Sequence, residues 1–270
     1  GILRGDLGYS RVGSQPVTNL IQQRFPATLE LALWSVGPII GIGIWLGVQS
    51  AVHHNSLIDQ AGRVFSIVGW SFPTFVFGLL VLMVFYARLQ WFAPGRLSDW
   101  AGAVVHSDRF RSVTYLITVD ALLNGRPDIF FDALRHLILP ILTLSYLNWA
   151  LLLRVTRSSM LETLRQDYVT AARAKGLSWQ TVINKHARPN ALIPVATLAG
   201  FTVIQLLNGV VITETVFNYP GIGSAAAAAA SQLDVVTVLG FALFNGVILV
   251  MANLVVDVAY AFIDPRVRLE

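Results

Sequence analysis

Between residues 31 and 52 the chain carries no Asp, Glu, Lys or Arg, and the same holds for 64–87, 137–153, 189–213 and 235–256. A helix needs roughly 20 mostly apolar residues to cross the hydrocarbon core of a bilayer. Four stretches meet that length, and 137–153 lies at the short end of the tolerated range. Buried helices of a soluble protein are rarely free of charge for so long. The pattern therefore predicts an all-α polytopic membrane protein with five transmembrane helices. A further uncharged stretch, 215–233, is broken by Pro220, Gly221 and Gly223 before it reaches six consecutive alanines, 225–230. Alanine adds little transfer energy, so this stretch predicts a short helix or re-entrant loop on one membrane face.

Composition agrees. Of 270 residues, 55% are hydrophobic and 13% charged, against about 25% charged in an ordinary soluble domain. The chain has no cysteine, which excludes disulfides and thiolate metal sites. Its net charge of +4 comes without a basic block, so nucleic acid is not expected as a partner. The opening residues are polar, begin at Gly1 and show no signal peptide. They read as the interior of a longer chain or as a trimmed start.

Five spans place the two ends on opposite sides. Side one then holds the loops 1–26, 88–136 and 214–234, and side two holds 53–63, 154–188 and 263–270. Lys and Arg mark the cytoplasmic face. Over all loops the tally is nearly even, and 88–136 carries six arginines against five aspartates. The density in 154–188 decides the orientation. Arg154, Arg157, Arg165, Arg173, Lys175, Lys185 and Arg188 stand there against Glu162 and Asp167, and both lysines of the chain are among them. Side two is read as cytoplasmic, with the C-terminus inside.

Segment 154–188 is also the most informative locally. The preceding span is expected to continue as helix past Arg154 towards Arg165. Asp167 fits an N-cap, and 168–175 reads as a short helix with Arg173 and Lys175 in its last turn, where cations suit the helix dipole. Gly176 fits the left-handed position that ends a helix. Ser178 then caps a second helix, in which Trp179, Val182, Ile183 and His186 share a face, and Pro189 is expected to stop it. Two short helices are thus predicted across the membrane surface. The residues alone leave two uses open, a simple connection between spans and a docking site for a cytoplasmic partner.

The stretch Asp167-Tyr-Val-Thr-Ala-Ala-Arg-Ala-Lys-Gly-Leu177, with His186, Asn190 and Pro194 downstream, resembles a cytoplasmic signature of ATP-binding-cassette (ABC) importer permeases, E-A-A-x3-G-x9-I-x-L-P. Ala171, Ala172, Gly176 and Pro189 match, while Thr170 replaces the Glu, and His186 and Arg188 replace the Ile and Leu. Those departures suit the dipeptide/oligopeptide branch, whose version looks like T-A-R-A-K-G-L followed by H-x-x-x-N-A-x-x-P. Further elements resemble the same branch. They are Arg154-Val-Thr-Arg-Ser-Ser-Met160, Gly5-Asp-Leu-Gly8, Thr213-Glu-Thr-Val-Phe217, Pro220-Gly221-x-Gly223 and Asp264-Pro-Arg-Val-Arg268. The resemblance runs over nearly the whole chain, in consistent order and on consistent membrane sides. It implies a type I ABC importer permease architecture, with 1–270 as one permease domain and a further span expected before the Gly-Asp-Leu-Gly segment, six in all.

The resemblance implies a bacterial inner-membrane, multi-pass, non-catalytic subunit. It would form the translocation pathway for di- or oligopeptides delivered by an external substrate-binding protein. Relatives of this type also carry nickel complexes or glutathione. Implied partners are a second permease, usually a different chain, two ATP-binding subunits, the external binding protein and membrane lipid. ATP and magnesium belong on the partner ATPases and no cofactor on this chain, which contains no G-x-x-x-x-G-K-[ST] phosphate loop and no Gly-Lys pair. Tyr168, Ala171, Ala172, Arg173, Lys175, Gly176 and Leu177 are the implied ATPase contact. The external loop that meets the binding protein would carry Glu214, Phe217, Pro220, Gly221 and Gly223, with Glu214 facing the pore or, in preference, the water interface.

Polar residues inside spans mark helix contacts or a path. Gln205, Asn208 and Asn148 are candidates for the path, while Asn245 and Asn253 share a face of the last span. Asp257 is expected to pair with a cytoplasmic arginine, and His53 and His54 to be surface residues rather than metal ligands. An intramembrane enzyme would need a nucleophile–base or metal constellation at membrane depth. There is no Cys, no H-E-x-x-H motif and no His inside a charge-free span. A secondary transporter acting alone usually shows internal repeats around a central charge, and neither is visible.

Overall fold

The computed structural model describes residues 7–108, 110–207 and 210–263, with side chains as far as Val258. The chain divides into two compact units. One gathers Gly1–Ser35, Pro73–Leu144 and Ile204–Ala252, and the other Val36–Phe72, Ser145–Val203 and Asn253–Glu270. The first therefore holds the loops that the charge pattern puts on side one. The second holds 53–63 and 154–188 from side two.

Among the described residues, three unbroken helices are long and apolar enough to cross a membrane: α1 (Val17–Val52), α6 (Pro127–Thr163) and α13 (Val235–Ile263). The total reaches five if each of two bent helix pairs counts as one span. The expectation of a single helix over 64–87 needs correction. Helix α2 (Leu57–Ser71) ends at Phe72, and α3 (Thr74–Leu82) starts after Pro73. Proline has no N–H for the helical ladder and pushes the residue before it into extended backbone. Phe72 is extended accordingly, with φ −91° and ψ 125°. The stretch 189–213 is also not one helix. It is carried by α9 (Arg188–Ala191) and α10 (Ile193–Leu207), and α11 (Val211–Val216) begins separately. By contrast, the short stretch 137–153 is the middle of the 37-residue α6.

In the first unit, a two-stranded antiparallel hairpin of β1 (Tyr9–Ser10) and β2 (Gln15–Pro16) precedes α1. Buried Asp234 pins it. The carboxylate accepts from the Ser10 hydroxyl (2.9 Å) and from the backbone N–H groups of Arg11 (2.9 Å) and Val12 (3.1 Å). Donors on every side hold this carboxyl well below the usual range, the Thr237 hydroxyl first among them. Val17, Leu20, Ile21, Ile222 and Phe241 form one core. The loop 88–136 is not plain coil. It contains α4 (Asp99–Val105) and α5 (Ile117–Leu123), which close a second core of Ala101, Phe110, Ile117, Ala121, Ile129 and Ala133. Buried Glu30 fastens this loop by accepting from Arg96 (2.7 Å) and from the Thr118 N–H (2.7 Å) and hydroxyl (2.8 Å).

In the second unit, small residues let helices approach closely. A Cβ on Gly43 or Gly47 of α1 would collide with Leu152 or Thr156 of α6, and one on Gly69 of α2 would collide with Ala150. Glycines four apart form the close-approach stripe typical of membrane helices. The indole N–H of Trp149 donates to the Pro38 carbonyl at 2.9 Å, so its polar edge is satisfied within the packing.

Candidate functional site

Helix α6 runs past Arg154 to Thr163, and one turn leads into α7 (Asp167–Ala174). Gln166, rather than Asp167, occupies the N-cap. Asp167 is the first helical residue, where its charge still favours the positive helix end. Val169 and Ala172 turn inward and pack with Val182 and Leu164. Tyr168, Thr170, Ala171 and Arg173 remain exposed. The helix ends at Lys175, and Gly176 adopts φ +79°. That left-handed conformation suits glycine because it has no Cβ to clash.

The second helix starts as expected. The Ser178 hydroxyl accepts from the Thr181 N–H at 3.3 Å and caps α8 (Trp179–Thr181). The Arg173 guanidinium lies 5.1 Å from the Trp179 ring centroid, a cation–π contact linking the two arms. The helix then widens into a π-helical turn, Val182–Ala187, before α9. Pro189 does not stop it. It lies within the first two residues of α9, directly after the π turn. The π turn brings Val182, Ile183 and Ala187 inside, with Trp179 exposed and His186 half-buried. Ile183, Ala187 and Ala191 join Val48, Ala51 and Met160 in one core. This hairpin thus has an apolar root and an outer face of Tyr168, Ala171, Arg173, Lys175, Gly176, Leu177 and Trp179. Ala172 belongs to the root.

Sequence reasoning passed over the ion pair beneath this segment. Asp59 of α2 is fully buried. Its carboxylate accepts from Arg157 Nε (2.5 Å) and Nη2 (2.8 Å), the Ser50 hydroxyl (2.7 Å) and the Asn55 N–H (3.0 Å). Arg157 lies in α6, just before the hairpin. His54, read as a surface residue, is exposed at the edge of this cluster, with Nδ1 3.3 Å from Asp59. The His53 ring instead bonds the Gln49 carbonyl at 3.0 Å and is exposed.

In the first unit, α11 and α12 (Ile222–Ser231) form a second hairpin. Glu214 is not at a water interface, because it is fully buried. One carboxylate oxygen accepts from the Thr28 hydroxyl (2.8 Å) and the other from the Ser224 N–H (2.9 Å). Thr28 in turn accepts from the Ile222 N–H at 2.9 Å. A Cβ on Gly221 or Gly223 would fall on this carboxylate, so the Pro-Gly-x-Gly sequence makes room for the acid. Phe217 and Tyr219 are buried beside it and Pro220 half-buried. These residues fasten the hairpin internally, and exposed positions such as Thr215, Asn218 and Leu233 present its surface.

Burial pushes the Glu214 carboxyl above its ordinary range, against hydrogen bonds that pull it down. The native state therefore binds this proton more tightly than the unfolded chain does. The contribution to stability is full below the unfolded value of about 4.3 and is lost as pH rises through the higher native value. Glu214→Gln, which keeps the shape without the charge, is expected to flatten the fall in thermal stability as pH rises above that value. Melting curves across that range check this, and an unchanged pH dependence in the variant would contradict it.

The other candidates fall in both units. Asn148 is half-buried in α6, and Gln205 is exposed on α10. Asn208 and the Asp264–Arg268 motif lie outside the described residues, as do Gly5 and Asp6. Asn245 is half-buried, and Asn253 and Asp257 are exposed on α13.

The family model described as the binding-protein-dependent transport system inner membrane component matches residues 39–269. The probable D,D-dipeptide transport system permease protein of Escherichia coli K12 is 43% identical over 98% of this chain and 77% of its own length. The dipeptide transport system permease protein of the same strain is 37% identical over 99% and 78%. The di/tripeptide transport system permease protein of Pseudomonas aeruginosa UCBPP-PA14 is 39% identical, again over 99% and 78%. Among solved structures, an inward-facing MetNI methionine ABC transporter matches with a TM-score of 0.58 at 16% identity. The match covers 88% of this chain and 95% of that one. This last likeness concerns the fold alone.

Proposed function

Because the chain belongs to the family of binding-protein-dependent transport system inner membrane components, we propose that it is the permease subunit of a peptide importer powered by ATP on partner chains. The observation that carries this reading is the α7–α9 hairpin. Its root is buried, its turns are capped, and its outer face is cationic and apolar without carrying chemistry of its own. A transmitting element must move as a rigid body. The Gly176 turn, the Ser178 cap and the Arg173–Trp179 stack give this hairpin that stiffness. The outer face, Tyr168, Ala171, Arg173, Lys175, Gly176 and Leu177, seats in an ATPase subunit that holds ATP and magnesium.

The multi-pass chain lies in the bacterial inner membrane with the hairpin and C-terminus in the cytoplasm. The α11–α12 hairpin faces an external peptide-binding protein. A second permease completes the pathway, to which Gln205, Asn208 and Asn148 contribute. The names of the relatives, dipeptide and di/tripeptide permeases, favour peptides over nickel complexes or glutathione.

The test is affinity purification of the full-length protein from membranes in mild detergent. A second multi-span chain and phosphate-loop ATPases are expected to co-purify. Arg173→Glu reverses the central charge of the docking face and is expected to cut ATPase recovery about tenfold, the loss of one charge-assisted bond. Recovery of the wild-type chain alone would overturn the proposal.

A further inference from the structure

The first unit contains a cavity of about 450 Å³ lined by Tyr86, Gln90, Phe92, Ser98, Arg135 and His136. None of these residues belongs to either hairpin. Hydrogen bonds hold the polar side chains of the lining in place. His136 is 3% exposed, and its Nδ1 lies 2.8 Å from the Asp132 carbonyl. A carbonyl only accepts, so Nδ1 carries a proton towards it, with an Asp132 carboxylate oxygen 3.8 Å from the same nitrogen. The Asp132 carboxylate is occupied by the Ser98 N–H (2.8 Å) and hydroxyl (2.6 Å). Arg135 donates from Nε to the Trp91 carbonyl at 2.7 Å, which orients the guanidinium and leaves its terminal nitrogens for a ligand.

The backbone at the cavity mouth is unusual as well. Met83–Arg88 is π-helical, and Gln90 takes a left-handed φ of +53°. Both are conformations that concentrate at functional sites. The volume falls within the roughly 300–1,000 Å³ of small-molecule sites. The cavity offers an oriented cation, a buried imidazole and aromatic walls from Tyr86 and Phe92. A short α-peptide is the complement of that set. Its carboxylate suits the planar fork of an arginine, and its side chains suit the rings.

We propose that this cavity binds the peptide cargo on the side-one face of the permease, with the C-terminal carboxylate on Arg135. The assignment rests on the peptide-importer reading above.

The probe is labelled Ala-Ala and its C-terminal amide, dialysed against the assembled importer in nanodiscs without the external binding protein. Saturable binding of Ala-Ala is expected, with the amide about tenfold weaker or worse, as loss of a charge-assisted bond requires. Arg135→Gln is expected to weaken Ala-Ala to the same extent and to abolish the preference for the acid. Co-purification of the partner subunits shows that the variant is assembled. Equal binding of acid and amide, an unaffected Arg135→Gln complex, or no saturable binding by a complex that still imports peptide would each overturn the site. If Arg135→Gln loses only its affinity for the external binding protein, the cavity takes a protein carboxylate and the proposal also falls. A wild-type complex that neither assembles nor imports peptide with ATP would instead count against the importer reading.

Discussion

Gly176→Val is expected to abolish ATP-driven uptake, while Gly176→Asn retains most of it. Gly176 ends α7 at φ +79°, and a Cβ there meets nothing within 4 Å. Crowding therefore does not decide the outcome, and backbone conformation does. A left-handed residue costs roughly 1–2 kcal/mol for ordinary L-amino acids, and a β-branched side chain is a true outlier there. Asparagine tolerates the conformation. Valine would drive the turn into another conformation and carry Leu177, Ser178 and Trp179 with it, breaking the 5.1 Å stack of Arg173 on Trp179. Uptake and ATPase stimulation, measured together on the assembled importer, are expected to separate, with hydrolysis no longer producing transport. Wild-type uptake in the valine variant would show that the turn transmits nothing.

The second large effect falls on stability. Asp59→Ala leaves Arg157 partly buried without its carboxylate, and breaking such a pair typically costs 3–5 kcal/mol, a value expected to hold at about that size here. Asp59→Leu combined with Arg157→Met removes both charges and is expected to recover most of the loss, because well-packed apolar residues can replace a buried pair at little net cost. The readouts are the melting temperature in detergent and the yield of folded protein. If the single alanine variant melts with the wild type, the pair is incidental to the fold. If the double variant is as poor as the single, the Ser50 and Asn55 bonds, and not the charge pairing, carry the effect.

What was legible in the sequence was local. Charge-free length located the membrane helices, and Gly176 and Ser178 each announced their turn because a left-handed glycine and a hydroxyl cap are specified within four residues. Charge counting cannot see backbone breaks, so the interruption at Phe72–Pro73 was missed although Pro73 itself was the available signal. The π turn at Val182–Ala187 shifts a register that a 3.6-residue period assumes to be constant. Long-range partnerships were invisible. Glu214 meets Thr28 across 186 positions and Asp59 meets Arg157 across 98. An acid near a span end therefore read as solvent-facing when it is in fact buried. The glycines around it were visible, but only the fold shows that their missing side chains make space for a carboxylate.

The central claim is that this chain moves peptide only when partner subunits hydrolyse ATP. The most direct measurement is uptake of a labelled dipeptide into proteoliposomes that contain the full-length chain with its co-purified partners, ATP enclosed and binding protein outside. Uptake that requires enclosed ATP and vanishes when a non-hydrolysable analogue replaces it is the predicted result. Uptake by the chain alone, without ATP, would contradict the account and mark the protein as a self-sufficient secondary transporter.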